Sequence, residues 1–199
     1  MERLESLREF YWLLKSQSYY RAFFGRIGRG AKILNPMRLR NVQNIYLGDH
    51  VLVNKHSFLL TLQIDVSKRP RLVIDEGSVI GHMNHITAVN DVYIGKKVLT
   101  ADRVHISDNA HSFLNPDVPI LEQEVVCPGP VAIGDGTWIG ENASILSCKI
   151  GRNCVVGSNA VVTRDVPDYS VVVGIPARVV KQFDPASKKW IRVGQEASR

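Results

Sequence analysis

A branched aliphatic residue recurs every six positions through the C-terminal half of this chain: Ile133, Ile139 and Ile145, then Ile150, Val156 and Val162, with one step, from Ile145 to Ile150, shortened to five. The residue that follows is usually glycine or another small one, as in IGDGTW, IGENAS and VGSNAV, and polar turn formers come next. A period of six fits neither the alternation of a half-buried strand nor the 3.6-residue turn of a helix. It fits a coil whose wall is one short strand and whose corner is one tight turn, the hexapeptide signature of a parallel β-helix. Upstream, Leu47, Val53 and Leu59 keep the spacing, as do Ile74, Ile80 and Ile86, then Ile94, Thr100 and Ile106. The pattern predicts an all-β solenoid over about 45–173, preceded by a helical capping segment over 1–44 and followed by a turn and short tail over 174–199. Two segments interrupt it, a charged one over 63–71 and a Pro- and Gly-containing one over 112–130. Each coil buries its aliphatics only against its neighbours, so stability accumulates along the stack.

Composition narrows the function. The 199 residues suit one domain, and 22% charged residues is too few for a disordered chain. No apolar run approaches the ~20 residues of a membrane span, and no signal-peptide core opens the sequence. Cys127, Cys148 and Cys154 are odd in number and lack CxxC spacing, so they read as packed, reduced thiols of a cytoplasmic protein. A net charge of +6 favours an anionic partner. The basic residues are dispersed and no nucleic-acid-binding motif is present, which argues against nucleic acid and suits a phosphorylated small molecule.

The first segment has a different period. Leu4, Leu7, Phe10, Tyr11 and Leu14 lie three or four apart, the spacing of an amphipathic helix. Tyr19, Tyr20, Phe23 and Phe24 follow, interleaved with Arg21, Arg26 and Arg29. Two readings stay open: a helix that caps the exposed end of the solenoid, and a face for peripheral contact with a membrane surface or lipid-linked substrate.

The second interruption opens on ISDNAHSFLNPDVPI. Loops leaving a rigid scaffold concentrate binding and catalytic groups. His111 stands at the mouth of this one, and an imidazole with a pKa near ~6.5 can act as a general base at neutral pH. Asp108 and Asn109 are close enough in sequence to orient the ring or the substrate.

The phrases ISDNAHSF, GPVAIGDGTWIGENASIL and VTRDVPDYSVVVGIPARVVK resemble the left-handed β-helix acyltransferases. Among these, the chain is most similar to the O-acetyltransferases of bacterial surface polysaccharides and to the maltose, galactoside and xenobiotic acetyltransferases. The resemblance spans 45–181. It implies a left-handed prism, a homotrimer with sites in clefts between subunits, and direct acetyl transfer from acetyl-CoA to a carbohydrate hydroxyl without a metal. His111 falls on the family's catalytic histidine and Trp138 on the tryptophan lining the thioester end of the pantetheine tunnel; packing at a corner or subunit interface is the alternative for Trp138. Ser158, Thr163 and Arg164 fall along the pantetheine, and Arg178 and Lys181 near the cofactor phosphates, although Arg178 also reads as a solvated arginine after a turn.

The acceptor side departs from the galactoside pattern, because Gly81 and Val89 stand where relatives carry Asn and Asp. Asn84 is then the candidate oxyanion donor and His85 the candidate acceptor contact. Alternatives on the same scaffold are an amino-sugar N-acyltransferase, a zinc-dependent carbonic-anhydrase-like enzyme, and a non-catalytic assembly protein. The zinc reading needs two histidines five residues apart, whereas the steps between consecutive histidines are 6, 26, 3, 20 and 6. The aliphatics Val51, Leu52, Val131 and Val161, beyond those of the inward ladder, are expected to add apolar surface for the three-fold interface.

Overall fold

The computed structural model describes residues 2–193, with side chains from Leu7 onward, so Leu4 lies outside the described side chains. The chain winds into a left-handed parallel β-helix of triangular section. Face 1 stacks the strands Arg26–Ile27, Ile45–Leu47, Arg71–Ile74, Asp91–Ile94, Val131–Ile133 and Lys149–Ile150. Face 2 stacks Lys32–Ile33, Leu52–Val53, Val79–Ile80, Leu99–Thr100, Trp138–Ile139, Val155–Val156 and Ser170–Gly174. Face 3 stacks Arg38–Arg40, Phe58–Thr61, His85–Ala88, His105–Ser107, Ser144–Leu146 and Val161–Val162.

Three inward ladders account for the hexad. Leu47 pairs with Ile74, Ile74 with Ile94, Ile94 with Ile133 and Ile133 with Ile150 up face 1. Leu59, Ile86, Ile106, Ile145 and Val162 do the same on face 3. The ladders begin earlier than the sequence reading placed them: Ile27 pairs with Leu47, Ile33 with Val53 and Leu39 with Leu59. A full first coil therefore occupies 26–40, inside the stretch assigned to the cap, and only helix α1 (Glu2–Gln17) and a 3-10 turn (Tyr20–Ala22) precede it. Phe24, at 7% exposure, packs with Tyr20 against the lower end of the core. Val51 and Val131 also line the core rather than the outer surface, which leaves Leu52 and Val161 as the outward members of the aliphatic set proposed for an interface.

Corners are built from left-handed residues. His50, Lys97, Asn153 and Asn159 have φ of 57°, 52°, 49° and 60°. That conformation turns the corner amide towards the coil below: His50 N–H donates to Arg29 O at 2.8 Å and Lys97 N–H to Glu76 O at 2.9 Å. Asparagine tolerates this region best among residues with a Cβ, which explains its frequency at the corners. The C-terminal segment is more than a tail. The chain reverses at Gly174 (φ +100°), and strands Ala177–Asp184 and Lys189–Arg192 add antiparallel to face 2.

Candidate active site

Both interruptions leave the corner between faces 3 and 1, one from Phe58–Thr61 and the other from His105–Ser107. Asp108 roots the longer loop. Its carboxylate is fully buried and accepts three backbone hydrogen bonds: Val89 N–H to Oδ1 at 2.8 Å, and Asn90 and Asp91 N–H to Oδ2 at 2.8 and 2.9 Å. Both oxygens are thus committed to the corner of the coil below, so Asp108 holds the loop's base rather than the His111 ring. Strand Ala110–His111 then pairs antiparallel with Val125–Val126, with His111 opposite Val125, and Ser112 N–H donates to Glu124 O at 2.9 Å. Gln123 Nε2 donates to Asn115 O and Val118 O, each at 2.8 Å, and closes the loop. His111 is exposed on this stem. Between it and Asp108, the Nδ2 of Asn109 is a buried donor without a hydrogen-bond partner among the described residues.

A cavity of about 210 Å³ lies between the two loops, lined by Ile64, Asp65, Lys68, Val89, Asn90 and Cys127. Burial pushes the Cys127 thiol up, as it does Cys154, and Cys148 is pushed up to about 11. All three cysteines are free thiols.

The acceptor candidates separate. Asn84 is fully buried: Nδ2 donates to Ala101 O at 2.9 Å and His82 O at 3.2 Å, and Oδ1 accepts from Thr100 Oγ1 at 3.1 Å. Both amide protons are used inside the prism, so Asn84 is a corner staple and neither an oxyanion donor nor a substrate contact. His85, the next residue, points outward on face 3. Its ring stacks on Phe58 with centroids 5.0 Å apart and meets the His105 ring edge-on at 5.3 Å. Burial lowers the pKa of both imidazoles, and the neighbouring His85 lowers that of His105 further. The sequence reading missed His105 and Phe58 as members of this column. The step of 20 from His85 to His105 equals that from Ile86 to Ile106, which places both rings in register. Among the described residues no group of three or more His, Cys, Asp or Glu converges as a metal would require.

The cofactor candidates occupy face 2 and the next two corners. Trp138 is 45% exposed, between Leu99 below and Val155 above. Val155 pairs with Val171 and Val171 with Lys181, so Trp138 and Lys181 share one outer face across two valines. Arg178 pairs with Val173 on the same added strand, and its Nη1 donates to Ala177 O at 2.9 Å. Ser158 is exposed at the corner between faces 2 and 3, whereas Thr163 and Arg164 are exposed at the corner after face 3, two coils above the root of the His111 loop. Within one chain, face 3 lies between Trp138 and His111.

A family model described as bacterial transferase hexapeptide (six repeats) matches residues 130–164. A protein of Mycobacterium tuberculosis named as a probable acetyltransferase is 36% identical over 185 residues, covering 85% of this chain. The chain thus carries the six-residue repeat of the bacterial hexapeptide transferases over 130–164 and is similar along most of its length to a protein named as an acetyltransferase. It spans 61% of the length of that mycobacterial relative. WbbJ of Escherichia coli K12, named for an O-acetyl transferase of lipopolysaccharide biosynthesis, is 29% identical over 175 residues, or 81% of this chain and 84% of its own. In fold, the chain is similar to AntD, an N-acyltransferase from Bacillus cereus solved with dTDP and 3-hydroxybutyryl-CoA: the TM-score is 0.71 at 18% identity, over 86% of this chain and 90% of that one.

Proposed function

We propose that the protein is a cytoplasmic O-acetyltransferase that moves acetyl from acetyl-CoA to a sugar hydroxyl in surface-polysaccharide assembly. The observation that carries this reading is the exposed imidazole of His111, held on a paired strand at the stem of the long loop. His111 takes the proton of the acceptor hydroxyl, whose oxygen attacks the thioester carbonyl to give a tetrahedral oxyanion. Collapse breaks the C–S bond, and the imidazolium returns the proton to the leaving thiolate. Positioning and oxyanion stabilisation supply most of the acceleration in such direct transfers. Asn109, two residues from His111, is left as the candidate for orienting the ring or the substrate, since Asn84 is spent inside the prism.

Trp138 offers an apolar wall for the pantetheine, with Ser158 at the next corner of the same copy, Thr163 and Arg164 supplied from the His111 corner of the neighbouring copy, and Arg178 and Lys181 meeting the phosphates. A subunit interface is needed to bring this surface to His111, which supports a homotrimer in which face 2 of one copy meets the His111 corner of the next. The carbohydrate acceptor would enter between the two loops. The name of WbbJ, an O-acetyl transferase, supports a hydroxyl over an amine as acceptor.

The test is thiol release from acetyl-CoA in the presence of a panel of sugars, sugar nucleotides and lipid-linked sugars, with thermal shift as a separate reading of cofactor binding. Acetyl-CoA is expected to raise the melting temperature by mass action, and an ester-linked acetyl product is expected by mass spectrometry. No shift at millimolar acetyl-CoA would overturn the donor; an amide product would move the chain to the N-acyltransferases.

A further inference from the structure

Helix α1 leaves much of its apolar surface uncovered. Polar groups tie it to the prism, with Trp12 and Leu13 half-buried beside them: Ser16 Oγ accepts from Ile33 N–H at 3.0 Å, Gln17 Nε2 donates to Gly28 O and Ala31 O at 2.9 Å each, and Glu9 pairs with Lys32 at 3.2 Å. At 100° per residue, Leu7, Tyr11 and Leu14 fall on the side opposite Glu9 and Ser16, with Phe10 at the margin. Leu7, Phe10, Tyr11 and Leu14 are 53–65% exposed. Beyond the helix, Tyr20 and Phe24 turn towards the core, while Tyr19 and Phe23 pack on each other with centroids 5.1 Å apart and remain 55–59% exposed. An amphipathic helix normally buries its apolar stripe against the body. Here Leu7, Phe10 and Leu14 are left uncovered, while Tyr11, with Arg8 and Trp12, lines a cavity against Leu34, Asn54 and His82 of the prism.

The charges around the stripe are cationic. By the same helical spacing Arg8 and Lys15 border it, the Lys15 ammonium lying 4.8 Å over the Trp12 ring and 6.0 Å over that of Tyr11. Arg21, Arg26 and Arg29 line a depression around Phe24, with Asp49 the carboxylate among them. The acidic Glu9 is on the body side and already paired. We infer that this face docks on the surface of an anionic lipid bilayer, with helix α1 lying in the interface plane. Sixteen residues at ~1.5 Å each reach only about 24 Å, short of a hydrocarbon core of ~30 Å. No helix among the described residues is long and apolar enough to cross. An apolar stripe of aromatics and leucines edged by Lys and Arg has the composition of an interfacial helix. A second copy presented face to face would bring the same cations against one another, which disfavours self-association through this patch.

The experiment is co-sedimentation of the full-length protein with extruded vesicles of pure phosphatidylcholine and of phosphatidylcholine with phosphatidylglycerol. Binding is expected only to the anionic vesicles and should fall with added salt. Leu7→Gln with Leu14→Gln, and separately Arg8→Gln with Arg21→Gln, should each weaken it. A juxtamembrane basic residue contributes roughly a five-fold change in partition, so the double arginine variant should lose roughly twenty-five-fold. All four positions are exposed, and circular dichroism melting confirms that the variants fold. Absence of binding to the anionic vesicles, or equal binding by the variants, would overturn the assignment. So would leucine variants that change the oligomer mass by light scattering yet bind vesicles like the parent, an outcome that assigns the face to contact between copies. Partition requires no acetyl transfer, so its failure and that of the proposed activity are distinguishable.

Discussion

Asp108 and His111 stand three positions apart at the root of one loop, yet their surroundings give them different work. Asp108 is buried with three amide protons aimed at it, whereas His111 is exposed on the strand that follows. Removing the two side chains should therefore separate activity from stability. His111→Ala is expected to lower kcat/KM by ~10²–10⁴-fold with acetyl-CoA affinity nearly unchanged. Its stability should stay within ~0.5 kcal/mol of the parent, as for other exposed positions. Asp108→Ala strands three backbone donors in the interior, at ~1–3 kcal/mol for each that finds no water, so its urea midpoint should drop clearly. Turnover with a true acceptor and urea titration of both variants check the pair. A His111→Ala enzyme with parental turnover would remove His111 from the chemistry. Asn109 differs again: its unpartnered amide should make Asn109→Ala nearly neutral for stability while slowing transfer, and the reverse pattern would show the donor serving the fold.

At the scale of strands and corners, the hexad made the prism legible because each rung must be an aliphatic that meets its neighbours above and below. The first coil carries the same signal, Ile27, Ile33 and Leu39 at intervals of six, but aromatics and arginines on either side gave that stretch the look of a helical cap. The misplacement of Asn84 has a local cause too. Side chains at corners have no alternation to reveal their direction, and the clue lay elsewhere: Thr100 sits in an otherwise aliphatic face-2 ladder and is 1% exposed. A buried hydroxyl needs partners, and it finds them in Asn84 Oδ1 and in the Gly81 N–H that donates to it at 3.0 Å. The histidine column was legible only once coils were set in register. It carries a prediction of its own. Burial lowers both imidazole pKa values in the folded protein, so the unfolded chain binds protons first as pH falls. Stability should be full above about pH 7 and decline below ~6.5, the unfolded value, towards the folded ones. Replacing His85 and His105 with Gln should flatten that decline in urea midpoints measured from pH 7.5 to 5. An unchanged decline would assign it to other groups.

For the whole molecule, one chain does not bring its own candidate base and the cofactor candidates of face 2 together: the width of face 3 separates His111 from Trp138, and only Thr163 and Arg164 share the His111 corner, two coils above. The long loop extends outward with an apolar tip, Phe113, Leu114 and Leu121 being 74%, 85% and 90% exposed. Side chains so exposed at the end of a stem braced by Gln123 suit contact with another subunit more than with water. Leu52, Leu99 and Val161 offer outward aliphatics on the faces such a subunit would meet. The expected assembly is a trimer in which the loop of one copy closes over face 2 of its neighbour. Replacing residues 113–122 with a short Gly-Ser linker should leave the melting temperature within a few degrees of the parent, because the ladders do not include them. Transfer should nevertheless fall by at least ~10²-fold, the scale set by misplaced reacting groups. Light scattering at the assay concentration, paired with turnover, decides the matter: a fully active monomer would show that one chain builds the whole site, and the loop would then serve some other contact.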